Sequence, residues 1–279
     1  MIRPDPALEG APGPEPALCT SVEVRRWRDG HMEAASDLVA EEMPVALRYQ
    51  GTPYVVMLAT PAELEDLAVG FTLSEALVTA PGEIRQVQLH AEAGALAVDI
   101  DIAPPRFAEL LRRQRNLSAR TGCGLCGAET VEGAIRRPAR IESSLSVPAP
   151  ALHAALQELA SRQPLNERTG SVHAAAWALP ERGIQLVRED VGRHNALDKL
   201  IGALTRADLD IGSGYVLITS RASYEMVQKA ATVGVPLLAA VSAPTGLAIR
   251  LAETSGMTLA GFARPGQHVI YAHPERLPG

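Results

Sequence analysis

The last third of the chain alternates short apolar runs with amphipathic stretches, and this pattern limits the possible folds more than any other feature. Residues 215–219, 235–241 and 257–262 are apolar runs of strand length. Residues 224–232 and 245–253 lie between them and place apolar side chains at helical spacing. Strand, helix, strand, helix and strand in this order predict two right-handed crossovers and a parallel sheet.

The ends of these three strands predict where a ligand would bind. In an open parallel sheet, ligands bind beyond the carboxyl ends of the strands. Residues 219–223, 242–246 and 261–267 occupy those ends and are small, polar or rich in glycine. The first two lead into helices, whose free N–H groups favour an anion. Arg221 and Arg264 could bind phosphate through charge-assisted hydrogen bonds.

Each of these residues taken singly is more simply explained as a helix cap or a solvated side chain. The three strand ends taken together favour a binding site for a nucleotide-like or phosphorylated ligand. Phe262 could stack on a base there. His173 lies among small residues in the segment 169–176, which indicates a close approach of backbone or ligand. The charged segment 188–199 is open to two interpretations, a structural ion-pair network or a functional cluster.

The first half predicts an α+β arrangement followed by a cysteine-containing loop. Thr60 is expected to cap a helix, with Pro61 at its first position and Glu63 completing a capping box. A short helix is expected around residues 107–111, before the loop. Strands are predicted at residues 22–27, 45–49, 54–59, 84–89 and 95–102. The second and third are expected to form a hairpin through the turn 50–53, and the last two a hairpin around residues 92–94.

Between this half and the parallel sheet, further elements are predicted. Residues 148–160 and 193–204 have the spacing of helices. Residues 172–179 and 184–187 are expected to pair as strands. The chain is therefore expected to divide into a flexible tail (1–20), an N-terminal α+β domain ending in the loop (21–145) and an α/β domain (146–279).

Composition narrows the classes of function. The 279 residues carry 26 Lys and Arg against 32 Asp and Glu, a net charge of −6. This balance argues against general binding to nucleic acid or to an acidic membrane surface. The chain has no signal-peptide core at its start and no apolar run of about 18 residues, so a cytoplasmic protein without a membrane span is expected.

Two of the three cysteines, Cys123 and Cys126, lie in the glycine-flanked segment 121–127. An odd number of cysteines and a reducing compartment argue against a disulfide scaffold. Structural zinc usually needs four ligands, and one pair supplies two. A deaminase-type zinc site would need a Glu two residues after its His, whereas Ala175 follows His173 at that distance. No metal site is expected.

Two thiol chemistries remain. Thiol–disulfide exchange is one, although the thioredoxin-type motif opens a helix after a strand. Sulfur transfer is the other, in which a thiolate accepts sulfur as a persulfide, swings to an acceptor and releases it. Arg120 would favour the thiolate form of a neighbouring cysteine. A loop with two thiols, together with a pocket suited to phosphate, favours sulfur transfer. The structural alternative is that both cysteines are buried and unreactive.

The segment 121–127 resembles the cysteine loop of the FdhD family, the formate dehydrogenase accessory sulfurtransferases. Segments 57–71, 169–176, 188–199 and 242–245 are similar to family segments in the same order. The resemblance extends over roughly residues 20 to 275 and is far more specific than the Cys-x-x-Cys pair.

The resemblance implies a sulfur carrier with sulfurtransferase activity. It would take sulfur from a cysteine desulfurase and pass it to the molybdenum cofactor, a bis(molybdopterin guanine dinucleotide), before insertion into formate dehydrogenase. Cys123 would hold the persulfide and Cys126 would be its partner. A second domain of three layers, similar to cytidine deaminase, and a homodimer are also implied. The residues expected to bind the cofactor are Phe262, Ala263, Arg264, Pro265, Gly266 and Gln267, with Arg221 and His173.

Two alternatives stay open beside this function, a thiol-disulfide oxidoreductase and a cofactor-binding chaperone without sulfur chemistry. The chain also departs from the family pattern at two turns. Gln50 stands where the family usually has Asn, and Ala76 stands where Gly is common. Both positions lie outside the expected site, so the departures concern local turn geometry.

Overall fold

A computed structural model describes residues 16–92, 94–118 and 138–278 of the chain. The two cysteines of the predicted sulfur-carrying loop, Cys123 and Cys126, lie outside the described residues, as does most of the predicted tail. Cys19 and Thr20, the last two residues of that predicted tail, are the first two residues of a strand.

The described residues form twelve strands and seven α-helices. The strands are β1 (Cys19–Arg28), β2 (His31–Ala40), β3 (Met43–Tyr49), β4 (Thr52–Ala59), β5 (Ile84–Glu92), β6 (Ala95–Ile102), β7 (His173–Leu179), β8 (Gly183–Asp190), β9 (Tyr215–Ile218), β10 (Leu237–Ala240), β11 (Thr258–Arg264) and β12 (Gln267–Ala272). The helices are α1 (Leu64–Ser74), α2 (Pro104–Ser118), α3 (Ala149–Ala160), α4 (Pro164–Thr169), α5 (Arg193–Arg206), α6 (Tyr224–Thr232) and α7 (Gly246–Ser255).

The second half is built on a six-stranded sheet of order β12-β11-β10-β9-β7-β8. Strand β10 is parallel to both β9 and β11, which confirms the predicted parallel βαβαβ core. The remaining strands are antiparallel and extend this core on both sides. Strand β12 was not predicted, because it follows the glycine-rich end of β11.

Helices cover both faces of this sheet. Ala175 and Trp177 of β7 belong to one apolar core with residues of α5, α6 and α7. Ala174 and Ala176, on the opposite face of the same strand, belong to a second core with α3. The alternation of side chains along a strand thus produces the predicted three layers. The specific likeness to cytidine deaminase stays a prediction.

The first half contains a four-stranded sheet of order β4-β3-β6-β5. Both predicted hairpins form, and β3 joins them by pairing in parallel with β6. Helix α1 then packs on α5 of the second half. A Cβ atom on Gly70 would overlap the carbonyl oxygen of Asp198, and one on Gly202 would overlap that of Asp66. The two helices therefore meet at backbone contact, inside an apolar core shared by both halves.

The predicted start of α1 was wrong. The helix begins at Leu64, after Glu63 in a left-handed conformation with φ of 46°. The Oγ1 atom of Thr60 accepts a hydrogen bond from the N–H of Val191 at 3.1 Å instead of capping the helix. The Thr60 hydroxyl, which the sequence predicts as a helix cap, thus makes a contact with the second half of the chain instead. The division into domains at residues 20 and 145 stays a prediction.

Strands β1 and β2 form a separate two-stranded sheet, of which β2 was not predicted. Most of its side chains are exposed, including the paired Trp27 and Met32 at 67% and 61%. Its weak apolar alternation explains why the sequence indicates it poorly. No helix in the described ranges is long and apolar enough to cross a membrane.

Candidate functional site

A cavity of about 400 Å³ opens at the carboxyl edge of the parallel strands. It brings His173, from the start of β7, together with Arg264, from the end of β11. These two residues are far apart in the sequence, and the sequence analysis named both as cofactor-binding residues. The cavity is lined by Leu156, Leu159, Ala160, Gln163, Asn166, Val172, His173, Thr219, Val241, Ala263, Arg264 and Pro265.

A tight turn joins β11 to β12. Arg264 pairs with Gln267, so Pro265 and Gly266 make the tight connection between these strands. Gly266 has φ of 84°, a left-handed conformation that glycine adopts without a steric penalty. Ala263 is buried, whereas Arg264, Pro265 and Gly266 are exposed. The turn therefore presents backbone and a guanidinium group to the cavity rim.

Phe262 lies beside this turn in a strained backbone conformation. Its φ is 49° and its side chain is 43% exposed, both unusual for a large aromatic residue within a strand. Its N–H donates to the carbonyl oxygen of Ser242 at 3.1 Å, which ties the ends of β10 and β11 together. Such outliers persist where the surroundings fix them, and they concentrate at ligand sites.

Gly261 makes this arrangement possible, and the sequence analysis did not single it out. A Cβ atom at this position would lie 2.7 Å from Cδ of Pro244 and 3.0 Å from Cε2 of Tyr271. Only glycine allows the two strand ends to approach this closely. A glycine in a strand interior is the sequence signal that could have indicated the contact.

Arg221 and Gln267 do not line the cavity. Arg221 is exposed after β9, where the neighbouring Ala222 forms a parallel bridge with Pro244. Gln267 is exposed at the start of β12. Of the eight predicted cofactor-binding residues, the structure therefore gathers four around one cavity, His173, Ala263, Arg264 and Pro265. The other four, Arg221, Phe262, Gly266 and Gln267, do not line it.

His173 is half-buried at the cavity rim. Burial lowers the pKa of its imidazole, and the positive charge of Arg193 lowers it further. The ring is therefore neutral at pH 7 and can donate or accept a hydrogen bond. The neighbouring N–H of Ala174 donates to Oγ1 of Thr219 at 2.9 Å, which fixes the start of β7 against the end of β9.

Most of the charged segment 188–199 forms a structural network. The carboxylate of Asp190 lies 2.7 Å from Nζ of Lys199, and both side chains are fully buried. Asp190 also accepts from the N–H of Thr60 at 3.0 Å and from Nδ2 of Asn195 at 2.9 Å. With its lone pairs satisfied in this way, the buried pair locks β8 and α5 to the first half of the chain.

A second buried pair lies one residue along α5. Nζ of Lys229 lies 2.8 Å from the carboxylate of Asp198 and 2.9 Å from that of Glu75. The same ammonium group lies 5.0 Å from the centre of the Phe71 ring. Burial alone would lower the pKa of Lys229, but the two carboxylates outweigh it and raise that pKa. This cluster was not predicted, because Asp198 lies in α5, Lys229 in α6 and Glu75 just after α1.

Arg193 and His194 differ from the rest of the segment. They begin α5 at the same sheet edge as His173 and take no part in the network around Asp190. No group of three or more His, Cys, Asp or Glu side chains within the described ranges could hold a metal ion.

Comparison with known proteins identifies the family. The model of the FdhD/NarQ family matches residues 40–278. The sulfur carrier protein FdhD of Cupriavidus necator is 51% identical over 277 residues, covering 99% of this chain and 96% of that protein. The sulfur carrier protein FdhD of Xanthomonas euvesicatoria is 53% identical over 254 residues, covering 91% and 90%.

The fold is also similar to a crystal structure. A protein of Desulfotalea psychrophila, assigned as a formate dehydrogenase accessory protein, superposes with a TM-score of 0.74 over 94% of this chain and all of that one. Its sequence identity is 24%, so this likeness concerns the fold. The family match and the two relatives cover nearly the whole chain, and the chain therefore belongs to the FdhD/NarQ family.

Proposed function

We propose that this protein is a sulfur carrier that serves formate dehydrogenase. It takes sulfur from a cysteine desulfurase as a persulfide on Cys123. It then passes the sulfur to the molybdenum cofactor, a bis(molybdopterin guanine dinucleotide), before the cofactor enters formate dehydrogenase. Family membership and the name shared by the relatives support the carrier role. The family match is the observation that carries the proposal, and the cavity that joins His173 to Arg264 at the carboxyl edge supports its cofactor-binding part.

The sulfur step balances with Cys123 and Cys126. The Cys123 thiolate attacks the terminal sulfur of the desulfurase persulfide, and the desulfurase cysteine leaves as a thiolate. At the acceptor, the Cys126 thiolate attacks the inner sulfur of the Cys123 persulfide and releases hydrosulfide. A disulfide between Cys123 and Cys126 then remains, and a cellular dithiol reduces it for the next cycle.

The cofactor is the substrate of this reaction, and the cavity edge suits its nucleotide portion. The guanidinium of Arg264 can bind a phosphate group in bidentate fashion. The exposed ring of Phe262 can stack on guanine. The neutral imidazole of His173 can donate a hydrogen bond to the same ligand from the other side of the cavity. A second copy of the chain as a partner, and a cytoplasmic location, belong to the same proposal.

A chaperone that binds the cofactor without sulfur chemistry is the second candidate. The cavity favours it equally, because the described lining residues include neither thiol. The two functions differ in whether Cys123 is needed.

Paired variants test the proposal. Cys123→Ser should bind GDP as the wild type does and leave formate dehydrogenase inactive in cells that depend on this protein. Arg264→Ala should still form the persulfide but bind GDP about tenfold or more weakly, because a charge-assisted bond to phosphate is lost. Arg182→Ala, an exposed arginine at the opposite end of β7, is the matched control. Full formate dehydrogenase activity with Cys123→Ser would favour the chaperone.

A further inference from the structure

Two histidine side chains join α3 to β12 next to the cavity. Nε2 of His153 lies 3.0 Å from Nδ1 of His268, and the centres of the two rings are 5.2 Å apart. In a pair of neutral imidazoles, one of these nitrogens donates the hydrogen bond and the other accepts it. The two residues are 115 positions apart in the sequence, so the fold alone brings them together.

The histidine pair adjoins two parts of the cavity lining. Leu156 lies one turn after His153 on α3 and lines the cavity. On the other side, Arg264 and Pro265 line it and lie just before His268 in the connection from β11 to β12. The hydrogen bond therefore connects the helix that forms one wall of the cavity to the turn that carries Arg264.

The turn between β11 and β12 is otherwise held through β11 alone. Strand β12 lies at the edge of the sheet and pairs only with β11, and the register between them shifts between Gly261 and Arg264. Arg264 and residues 265–267 are exposed. Within the described part of the chain, no other side chain of β12 makes a hydrogen bond. The histidine pair is thus the polar contact that ties this turn to a helix.

Protonation changes the contact in two steps. A single added proton keeps the hydrogen bond, because one nitrogen can still donate and the other accept. When both rings are protonated, two donors and two positive charges face each other, and the contact becomes repulsive. Burial lowers the pKa of His268, and His153 lowers it further. The contact is therefore fully present above about pH 6.5, the ordinary pKa of histidine, and is lost as the pH falls through the lowered pKa.

The groups around the pair do not supply a compensating charge. Glu158 on α3 pairs with Arg162 at 2.7 Å, and burial raises the pKa of Tyr215 on β9 to about 12, which keeps it neutral. Only burial and His153 shift the pKa of His268. The titratable or charged side chains of the elements around the pair are Glu158, Tyr215, Arg264, Tyr271, Glu275 and Arg276.

We propose that His153 and His268 are positioning residues, which hold the β11–β12 turn and Arg264 against α3 and release them when both rings are protonated. The inference rests on the proposed function, since it takes Arg264 as a ligand-binding residue of the cavity. It goes beyond that function because the two histidines act through the turn and not through contact with the ligand.

The pH dependence of GDP binding tests the pair. In the double variant His153→Gln/His268→Asn, the two amides supply a donor and an acceptor near the positions of Nε2 and Nδ1 and carry no charge. Between about pH 7.5 and about pH 5.5, we expect wild type to lose about threefold to tenfold more GDP affinity than this variant, which is the effect of one neutral hydrogen bond. His153→Leu, which removes the hydrogen bond, should bind GDP weakly over the whole range.

The comparison contains its own controls. Titration of His173 and of the GDP phosphates occurs in every variant and cancels between them. His31→Gln, a substitution at an exposed position of β2, should keep the wild-type pH profile. The amide NMR signal of Gly266 reports on the turn without any ligand, and it should follow the titration of the two imidazoles in wild type and stay constant in the double variant.

The outcomes separate this inference from the proposed function. Parallel GDP profiles of wild type and the double variant, or a Gly266 signal that does not follow the two imidazoles, would overturn the positioning role. Wild-type protein that binds no GDP at any pH would contradict the nucleotide part of the proposed function, and the Gly266 signal alone would then decide on the histidine pair. If the double variant does not fold, His268→Asn replaces it, because a single imidazole cannot place two charges face to face.

Discussion

At the scale of single residues, both departures from the family pattern coincide with left-handed backbone. Gln50 has φ of 46° and Ala76 has φ of 49°. Asn and Gly, the residues usual in the family, adopt this conformation more readily than Gln or Ala. The side chain of Gln50 compensates in part, because its Nε2 donates to the carbonyl oxygen of Ile102 at 2.7 Å. Ala76 has no polar side-chain atom with which to compensate.

The substitution Ala76→Gly should therefore stabilise the protein by about 0.5–1 kcal/mol, because it removes the strain of a Cβ atom at positive φ. Urea unfolding measures the change. Ala108→Gly is the control, since Ala108 is an exposed residue inside α2 and its loss should destabilise the helix by about 1 kcal/mol. The same sign for both substitutions would refute the argument from backbone strain.

Two residues of the candidate site were predictable from the sequence one residue at a time. His173 was singled out by its small neighbours, and Arg264 by its place after a strand. Their meeting at one cavity follows from the antiparallel pairing of β7 with β9. Sequence spacing does not indicate that pairing.

At the scale of elements, the parallel strands and their helices were predictable because each is a short apolar or amphipathic run between turn residues. The ends of elements were less predictable. Thr60 has the sequence of a helix cap, yet its hydroxyl accepts the N–H of Val191 from the other half of the chain. Strand β12 and helix α4 were missed because the first follows the glycine-rich end of β11 and the second has only six residues.

The crossing of α1 and α5 makes a strong prediction at this scale. Gly202→Ala should destabilise the protein by several kcal/mol, because its Cβ atom would overlap the backbone of Asp66 and force the helices apart. Denaturant unfolding of the variant tests this expectation. Gly82→Ala is the matched control, since a Cβ atom there meets nothing within 4 Å. Near-equal stabilities of the two variants would show that the helices separate without difficulty.

At the scale of the whole molecule, the two halves share one apolar core, and two buried ion pairs of the second half contact the first half. The N–H of Thr60 donates to Asp190, and the carboxylate of Glu75 pairs with Lys229. Asp190 with Lys199 and Asp198 with Lys229 both involve α5, which therefore anchors the first half to the sheet. The same helix crosses α1 at backbone contact, which fixes its position against the first half.

The central claim is that Cys123 carries sulfur, and the intact mass of the protein tests it most directly. Wild type, Cys123→Ala and Cys126→Ala are each incubated with a cysteine desulfurase and cysteine, and their masses are compared before and after treatment with a dithiol. We predict that wild type and Cys126→Ala gain the mass of one sulfur atom, which the dithiol removes, and that Cys123→Ala gains none. An equal gain in Cys123→Ala, or no gain in any form while the desulfurase is active, would contradict the account.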